Sequence, residues 1–309
     1  MSDASATFVV FNPHAGKGRA AHFVAPVLDA LSGNGRLDHA LTTEPGDEER
    51  LAAEAVGRGF RRVVAVGGDG TWSKVANGVL LGNAHLPAEQ QAALGLVPGG
   101  TGCDFGKSLG IPRDDLGKAT AIVRAGHTRA VDVGRIEGRH FLNICGFGYD
   151  VAVLEHSWTV KYLEGEQLYL YCAVKQLGSY PGFGVEIEAD GVSLGKHELL
   201  MLIVANAKFF GGKFKIAPRA DLGDGRLDMV RFSNMSLLRR LDIMQRLLRG
   251  VHEGSPLVKA DQASRLRLRF LSGDPPTYET DGEWNRAKSA TVEIETLPGA
   301  LRVLSLIHI

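Results

Sequence analysis

The stretch that decides the fold is residues 63–81, VVAVGGDGTWSKVANGVLL. Its first four residues are apolar and mostly β-branched, which predicts a buried strand, and the apolar residues after Thr71 recur at helical spacing. Between them, the glycines of Gly67-Gly68-Asp69-Gly70-Thr71 would let the backbone approach a bulky anion, toward which the free N–H groups of the helix start would point. The stretch therefore predicts a strand, a phosphate loop and a helix.

The same order of elements repeats on both sides of this stretch. Asn12-Pro13 stops an apolar run, and Pro98 stops another, as expected where strands end. Strands that alternate with helices predict a doubly wound, parallel α/β domain over residues 1–130. The predicted elements are strands over 7–11, 37–42, 63–66 and 94–97 and helices over 21–31, 47–57 and 71–81.

After residue 130 the sequence changes to short extended segments separated by Gly, Asp and Asn. Alternation of apolar and polar residues in SRLRLRF and TVEIE predicts half-exposed antiparallel strands. Helices are predicted only around 167–177 and 237–248. The second domain, residues 131–309, is therefore predicted to be a β-sandwich, and a cleft between the two domains is the expected ligand site.

Composition excludes several classes of protein. Lys and Arg total 35 and Asp and Glu total 35, so no global basic field exists to collect nucleic acid. The three cysteines lie far apart, which excludes a disulfide framework or a zinc cage and fits a cytoplasmic location. The most apolar run, residues 199–205, is far shorter than the roughly 20 residues that cross a bilayer. The loop after the first predicted strand, which contains Gly16-Lys17-Gly18, has neither the Walker GxxxxGK[ST] spacing nor a GxGxxG motif. An NAD oxidoreductase therefore loses its main support.

Two further loops follow predicted strands, Asn12-Pro13-His14-Ala15-Gly16 and Pro98-Gly99-Gly100-Thr101-Gly102-Cys103-Asp104-Phe105. In a parallel sheet these loops and the GGDGT loop share the carboxyl edge, where they can converge on one ligand. Asp69 would repel a phosphate directly but suits a Mg²⁺ ion carried by a nucleotide. The alternative is an ordinary tight turn at each strand end.

The motifs NPHAGKGRA, GGDGT, PGGTGCDF, APRADLGDGRLDMV and ETDGE, in this order and spacing, resemble the diacylglycerol kinase catalytic-domain family. The likeness covers nearly the whole chain. It is strongest to soluble bacterial lipid kinases, with sphingosine and ceramide kinases more distant. The resemblance implies a nucleotide-binding α/β domain like that of NAD kinases, followed by a β-sandwich, with lipid and ATP meeting in the cleft.

The resemblance also assigns nucleotide-binding residues, with some departures from the family pattern. Ala15 stands where the family usually has Ser, Ser73-Lys74 where it has Asn-Glu, and Cys103 where it has Asn. Nucleotide affinity or base preference is expected to differ accordingly. The implied nucleotide-binding residues are Asn12, Pro13, His14, Ala15, Gly16, Thr43, Gly67, Gly68, Asp69, Gly70, Thr71, Gly100, Thr101 and Asp104.

Acidic residues in the second domain are assigned by the same resemblance. The family's structural Mg²⁺ loop falls on residues 220–226 and implies the Asp224 carboxylate with the carbonyls of Asp221 and Arg226 as ligands. The family's catalytic motif falls on Asp281-Gly282-Glu283. A kinase that acts on an alcohol needs a carboxylate to accept the hydroxyl proton, and either acid could be that base. An isolated Asp-Gly-Glu would otherwise be a solvated hairpin turn.

These observations predict an ATP- and Mg²⁺-dependent kinase that phosphorylates a hydroxyl of a diacylglycerol-like or other long-chain lipid. The alternatives are an NAD kinase or phosphofructokinase type of enzyme with a soluble acceptor, and a non-catalytic nucleotide or lipid-binding regulator. Expected partners are ATP, a lipid acceptor and the inner face of the membrane by peripheral contact, with no nucleic acid. A homodimer and the identity of the acceptor stay open.

Several conspicuous residues receive plain interpretations. His14 is expected to be incidental and Cys103 a small loop residue rather than a nucleophile. The helix over 237–248 mixes leucines and arginines, which suits an anionic membrane surface, but packing of its apolar stripe on the sandwich is the preferred interpretation. Four aromatic residues could line a lipid pocket or belong to the core: Trp158, Tyr162, Tyr169 and Tyr171.

Overall fold

The computed structural model describes residues 5–33, 35–100, 102–163, 165–212 and 214–306. The chain divides into two compact units, Met1–Val131 with Gly299–Ile309, and Asp132–Pro298. The domain boundaries predicted from the sequence differ from this division, because they place residues 299–309 in the second domain.

The first unit is an α/β unit with a parallel sheet in the strand order β4-β3-β1-β2. Its strands are β1 (Thr7–Phe11), β2 (Leu37–Leu41), β3 (Arg62–Gly67) and β4 (Ala93–Pro98). Its helices are α1 (Val24–Leu31), α2 (Asp47–Gly57), α3 (Asp69–Asn83), α4 (Asp104–Ser108) and α5 (Leu116–Ala125), with short 3₁₀ turns at Arg19–Phe23 and Ala88–Gln90.

The strand order explains why this sheet is covered on both sides. The chain steps outward from β1 to β2 and then returns across β1 to β3. Right-handed crossovers therefore place α1 and α2 on opposite faces. In agreement, β1 and β4 are buried along their whole length, as parallel strands between two helix layers should be.

Within the described residues, the second unit is built of antiparallel strands with three helices. Its strands are β5 (Thr128–Ile136, beginning in the first unit), β6 (Arg139–Phe141), β7 (Ile144–Gly148), β8 (Phe183–Ala189), β9 (Val192–Ala205), β10 (Leu227–Ser233), β11 (Val258–Ala263), β12 (Arg265–Phe270), β13 (Thr277–Thr280), β14 (Glu283–Arg286) and β15 (Thr291–Leu304). Its helices are α6 (Tyr149–Ser157), α7 (Gly165–Ser179) and α8 (Leu237–Leu248), with a 3₁₀ turn at His252–Gly254.

The strands of the second unit run in the order β14-β13-β7-β9-β8-β12-β15, and β10 pairs with β9 and β11. Two hydrophobic clusters result, one among the strands and one beneath α6, α7 and α8. The apolar run at the end of β9 serves both, since Leu202 and Val204 join the first cluster and Ile203 and Ala205 the second. This two-sided burial explains a strand that is apolar at consecutive positions.

β15 accounts for the division of the chain at residue 299. Its first residues pair antiparallel with β12, from Thr291 opposite Arg269 to Glu295 opposite Arg265. Its last residues lie in the first unit, where Val303 pairs in parallel with Leu94 of β4. The C-terminal strand that the sequence predicts for the second domain thus supplies residues to both units.

Three helices were absent from the sequence predictions, namely α4, α5 and α6. α6 directly follows β7, and its β-branched Val151 and Val153 continue a stretch whose composition favours a strand. Among the described residues, no helix is both long and apolar enough to span a bilayer.

Candidate active site

Asn12 connects the predicted nucleotide loops of the first unit. Its backbone N–H donates to the Val66 carbonyl at 3.1 Å, which ties the end of β1 to the end of β3. Its side-chain Nδ2 donates to Thr71 Oγ1 and to Glu48 Oε1, each at 3.1 Å. The Oδ1 atom accepts the His14 N–H at 3.0 Å. The loop after β1 is thereby fixed against the first turns of α2 and α3.

The glycines of the three loops are packed backbone to backbone. Gly99 donates its N–H to the Gly67 carbonyl at 2.7 Å. A Cβ on Gly100 would lie 2.4 Å from the Gly68 Cα, and a Cβ on Gly16, which has φ +60°, would lie 2.3 Å from the Gly99 carbonyl oxygen. The structure therefore brings the predicted loops after β1, β3 and β4 together at the carboxyl edge of the sheet.

Asp69 is the first residue of α3 and is half-buried. Its Oδ1 accepts the Phe105 N–H at 3.1 Å, and a Cβ on Gly102 would lie 2.8 Å from its Oδ2. Asp69, whose carboxylate is predicted to bind the Mg²⁺ ion of a nucleotide, thus also hydrogen-bonds to the first turn of α4. Thr101, another predicted nucleotide residue, lies outside the described residues.

The end of this third loop is buried. Asp104, the first residue of α4, forms an ion pair with Lys107 at 2.8 Å. Burial raises the pKa of the neighbouring Cys103 thiol to about 12, and the Asp69 carboxylate adds to this shift. The thiol is therefore protonated near neutral pH, and a nucleophilic role has no support.

Thr43, predicted to contact nucleotide, bonds to the start of α2. Its N–H and Oγ1 donate to Asp47 Oδ2 at 2.8 and 3.0 Å. The hydrogen bond from the Thr43 N–H and, next in size of effect, the one from the Arg50 side chain hold the pKa of the Asp47 carboxyl well below its usual range. The Thr43 hydroxyl is thus engaged by the helix start in this structure.

Glu48 belongs to the same group of residues, although the sequence analysis did not single it out. Its side chain is buried, Oε1 accepts from Asn12, and Oε2 has no hydrogen-bond partner within the described chain. An acid in the first helical turn is ordinary, so no local signal marks it. Oε2 is thus a buried acceptor without a hydrogen-bond partner among the described residues.

Asp281 and Gly282 form the two-residue turn between β13 and β14. Their φ angles are +51° and +86°, and Thr280 pairs with Glu283 across the turn. Positive φ at both central residues is what a type I′ turn requires, and Asp-Gly is a preferred sequence for it. The motif is therefore a hairpin turn, but it is not the solvated turn of the alternative interpretation, because Asp281 is buried.

The two acids of this turn differ in their surroundings. Asp281 is buried, and its Oδ2 accepts the Leu142 N–H at 2.8 Å. Its Oδ1 accepts the N–H groups of Asn143 and Ile144 at 2.8 and 3.1 Å. Glu283 is only half-buried. Asp281 thus anchors the segment before β7, whereas Glu283 is partly accessible to solvent.

A second acidic pair lies close to this turn in sequence and space. Glu279 on β13 pairs with Gly146 on β7, and a Cβ on Gly146 would lie 1.7 Å from Asp150 Oδ2. Burial raises the pKa of Asp150 to about 7, and burial together with the Asp150 charge raises the pKa of Glu279 well above its usual range. The pair therefore holds at least one proton near neutral pH.

Exposed aromatic side chains lie beside the acidic turn. Trp284 follows Glu283, and its Nε1 donates to Glu155 Oε1 at 2.8 Å. The ring of Trp158 meets that of Trp284 edge to face at 6.0 Å, and Tyr162 is 72% exposed. Trp158 and Tyr162 are therefore not core residues, while the side chain of Tyr169 lies outside the described part of the structure.

The predicted metal loop is closed by its own backbone. Asp221 and Asp224 each accept a backbone N–H two residues later, the latter from Arg226 at 3.0 Å. Gly225 donates its N–H to Asp132 Oδ2 at 2.7 Å. In the described residues, no three His, Cys, Asp or Glu side chains gather as a metal site. The predicted set needs only one carboxylate, and its oxygen donors suit Mg²⁺.

Comparison of the chain with known proteins identifies its family. The family model of the diacylglycerol kinase catalytic domain matches residues 6–136, and that of the YegS C-terminal NAD kinase beta sandwich-like domain matches residues 143–305. A diacylglycerol kinase of Bacillus subtilis is 32% identical over 284 residues, which cover 89% of each chain. The chain belongs to the diacylglycerol kinase family.

Solved structures agree on the fold. A diacylglycerol kinase structure from Bacillus anthracis aligns with a TM-score of 0.75 at 22% identity, over 98% of this chain and 97% of that one. An NAD kinase from Archaeoglobus fulgidus in complex with ATP aligns with a TM-score of 0.53 at 12% identity, over 97% and 93%. The predicted α/β nucleotide-binding domain and β-sandwich are confirmed, and as a family member the chain is a kinase.

Proposed function

We propose that this kinase transfers the γ-phosphoryl group of ATP to a hydroxyl of a diacylglycerol-like lipid, with Mg²⁺ bound to the nucleotide. The curated relatives are named diacylglycerol kinase, and the NAD kinase of similar fold was crystallised in complex with ATP. These names support the donor and the acceptor class that the motifs imply. They leave the chain length and headgroup of the acceptor open.

The glycine loops of the first unit support the nucleotide part of the proposal. With no Cβ at Gly68 or Gly100, backbone lies against backbone where the strands end, beside the N-terminus of α3. Helix N–H groups at such a position favour a phosphate. Asp69 would hold Mg²⁺ of the nucleotide, directly or through water, and the metal would neutralise charge on the phosphates.

The acidic turn supports the phosphoryl-transfer part. A carboxylate offers about four acceptor positions, and three at Asp281 are taken by backbone N–H groups. Its position is therefore fixed, as a group that must meet a hydroxyl requires. Glu283 is a half-buried residue two positions further along the chain. We assign proton acceptance and its orientation to these two residues together.

The single observation that carries the lipid assignment is the aromatic pair beside this turn. Trp158 is 57% exposed and Trp284 37% exposed, and the latter directly follows Glu283. Tryptophan side chains with one apolar body and one polar N–H are favoured where protein meets lipid.

The test is a phosphorylation assay with purified protein, Mg²⁺ and labelled ATP. Separate reactions would contain diacylglycerol, monoacylglycerol, a sphingoid base and a ceramide in mixed micelles, with NAD and fructose 6-phosphate as soluble acceptors. We expect label in at least one lipid and in neither soluble acceptor, and no transfer when Mg²⁺ is chelated. Label in a soluble acceptor alone would replace the proposal by an NAD-kinase or sugar-kinase function. ATP binding without transfer would indicate a non-catalytic regulator.

A further inference from the structure

Helix α8 has an apolar face that none of the described residues of the second unit covers. The sequence favours packing of this stripe on the sandwich, but the structure leaves its four leucines exposed, so that interpretation is wrong for all of its residues except Met244. Leu238 is 80% exposed, Leu248 54%, Leu237 50% and Leu241 44%. Arg240, Ile243 and Leu247 are buried, and Met244 is partly buried against the same hydrophobic cluster.

Arg240 explains why the helix turns its leucines outward. Its guanidinium donates to the carbonyls of Leu177 and Tyr180, each at 2.8 Å, and to that of Met235 at 2.9 Å. A fourth bond reaches Asn234 Oδ1 at 3.0 Å. A buried charge held by four oxygens is costly to withdraw, so the rotation of α8 about its axis is fixed.

The exposed surface of α8 has an apolar half and a basic half. At 100° per residue, Leu237, Leu241 and Leu248 fall within about 40° of one another. Arg239 and Arg246 fall about 160–180° from Leu237, and Arg249 falls about 120° from it, next to the exposed Leu238. Arg246 pairs with Asp242 at 2.8 Å, and the described residues give Arg239 and Arg249 no acidic partner. α8 contacts α7, which itself exposes Leu170 and Val174.

We propose that the exposed face of α8 docks on an anionic lipid bilayer, with its leucines among the acyl chains and Arg239 and Arg249 at the headgroups. A helix with an apolar stripe, a basic stripe and no capacity to span the membrane is suited to lie in the interface. The net positive charge beside the leucines favours an anionic lipid surface over a second copy of the same basic face. This inference deepens the proposed function and rests on it for the source of the acceptor.

The test measures binding to vesicles without nucleotide or acceptor. Vesicles of phosphatidylcholine alone and of an equimolar mixture with phosphatidylglycerol would be sedimented with the full-length protein. We expect binding to the anionic vesicles that weakens with salt. Combined Leu237→Ser, Leu238→Ser and Leu241→Ser should weaken it roughly 10–100-fold. Arg239→Gln with Arg249→Gln should weaken it about tenfold on anionic vesicles only.

The matched control changes Leu81 and Val192 to Ser, since each is 63% exposed but lies on another element. It should bind like the unchanged protein. Equal binding by the α8 variants and the control would overturn the proposal. So would a dimer, seen by sedimentation velocity without vesicles, that the leucine variant dissociates. Activity on a short-chain, micelle-free acceptor should survive the α8 changes, whereas failure of the proposed lipid kinase function would abolish that activity and leave vesicle binding intact.

Discussion

The glycine loops of the first unit and the acidic turn of the second unit make opposite demands on side chains. In the loops, the proposed phosphate binding requires glycine, which has no side chain. Packing requires glycine as well, because a Cβ on Gly100 would lie 2.4 Å from the Gly68 Cα. In the turn, function needs carboxylates, and one of them, Asp281, also binds three backbone N–H groups. Substitutions that keep volume can therefore separate the roles of the two acids, whereas an added methyl in the loops affects folding and binding together.

The largest effect is expected at the acidic turn. Asp281→Asn replaces one acceptor oxygen by an NH₂ group that faces backbone N–H donors, so turnover should fall by roughly two to four orders of magnitude and Tm should fall with it. Glu283→Gln should lower turnover by a similar factor with little change in Tm. Steady-state kinetics and thermal unfolding measure both.

Near-wild-type turnover in both variants would falsify the assignment of proton acceptance to this turn. An unchanged Tm in Asp281→Asn would contradict its anchoring of the segment before β7. A large loss of ATP affinity in either variant would show that the turn binds nucleotide instead.

Gly100→Ala tests the loops. The new methyl would lie against Gly68, so we expect a loss of about 1–3 kcal/mol in the free energy of unfolding and a weaker affinity for ATP. Denaturant unfolding and nucleotide titration provide the measurements. Gly57→Ala is the control, because its added methyl meets nothing within 4 Å and should be neutral or slightly stabilising. Equal behaviour of the two variants would contradict the packed loop crossing.

The buried pair of Asp150 and Glu279 should make stability depend on pH. Because burial raises the pKa of Asp150 to about 7, the folded protein keeps a proton that the unfolded chain releases above about pH 4. The free energy of unfolding should therefore decrease as pH rises through 7. Asp150→Asn should weaken this dependence and raise Tm at pH 8 by a few degrees, and adding Glu279→Gln should remove it. An identical Tm profile in the double variant would contradict the buried pair.

The smallest effect is expected at the predicted metal loop. If the Asp224 carboxylate helps to hold Mg²⁺, the ion should raise Tm of the unchanged protein by about 2–4 °C, and Asp224→Asn should lose that increment. Asp242→Asn on α8 is a control that removes a carboxylate elsewhere. Thermal unfolding with and without Mg²⁺ in the absence of ATP measures the effect. If Mg²⁺ raised the Tm of both variants equally, Asp224 would not be a ligand of the ion.

The sequence was sufficient for features that depend on neighbouring residues. Residues 63–81 predict β3, the loop and α3 because an apolar run, glycines and helical periodicity follow one another within one stretch. The meeting of the loops after β1, β3 and β4 follows in turn from the rule that parallel strands end at one edge. Thr71 and Asn12, far apart in sequence, could be assigned to one site for this reason.

Features that depend on a distant partner could not be predicted. Asp150 and Glu279 are ordinary acids until β7 and β13 pair, and Glu48 is an ordinary first-turn acid until Asn12 bonds to it. On α8, periodicity showed an apolar stripe but not which side is covered. The side that packs contains Arg240, and a sequence pattern assigns arginine to solvent.

β15 has a practical consequence for anyone who would divide this chain into fragments. A fragment ending at residue 131 would keep β1 to β4 but lose Val303, the residue that pairs with Leu94 on the outer side of β4. β4 is apolar and fully buried, so such a fragment would expose an unprotected hydrophobic strand edge and be prone to self-association. A linker that joins residue 131 directly to residue 299 would restore the missing strand, and the shortened chain is the better starting point for crystallising the nucleotide-binding half.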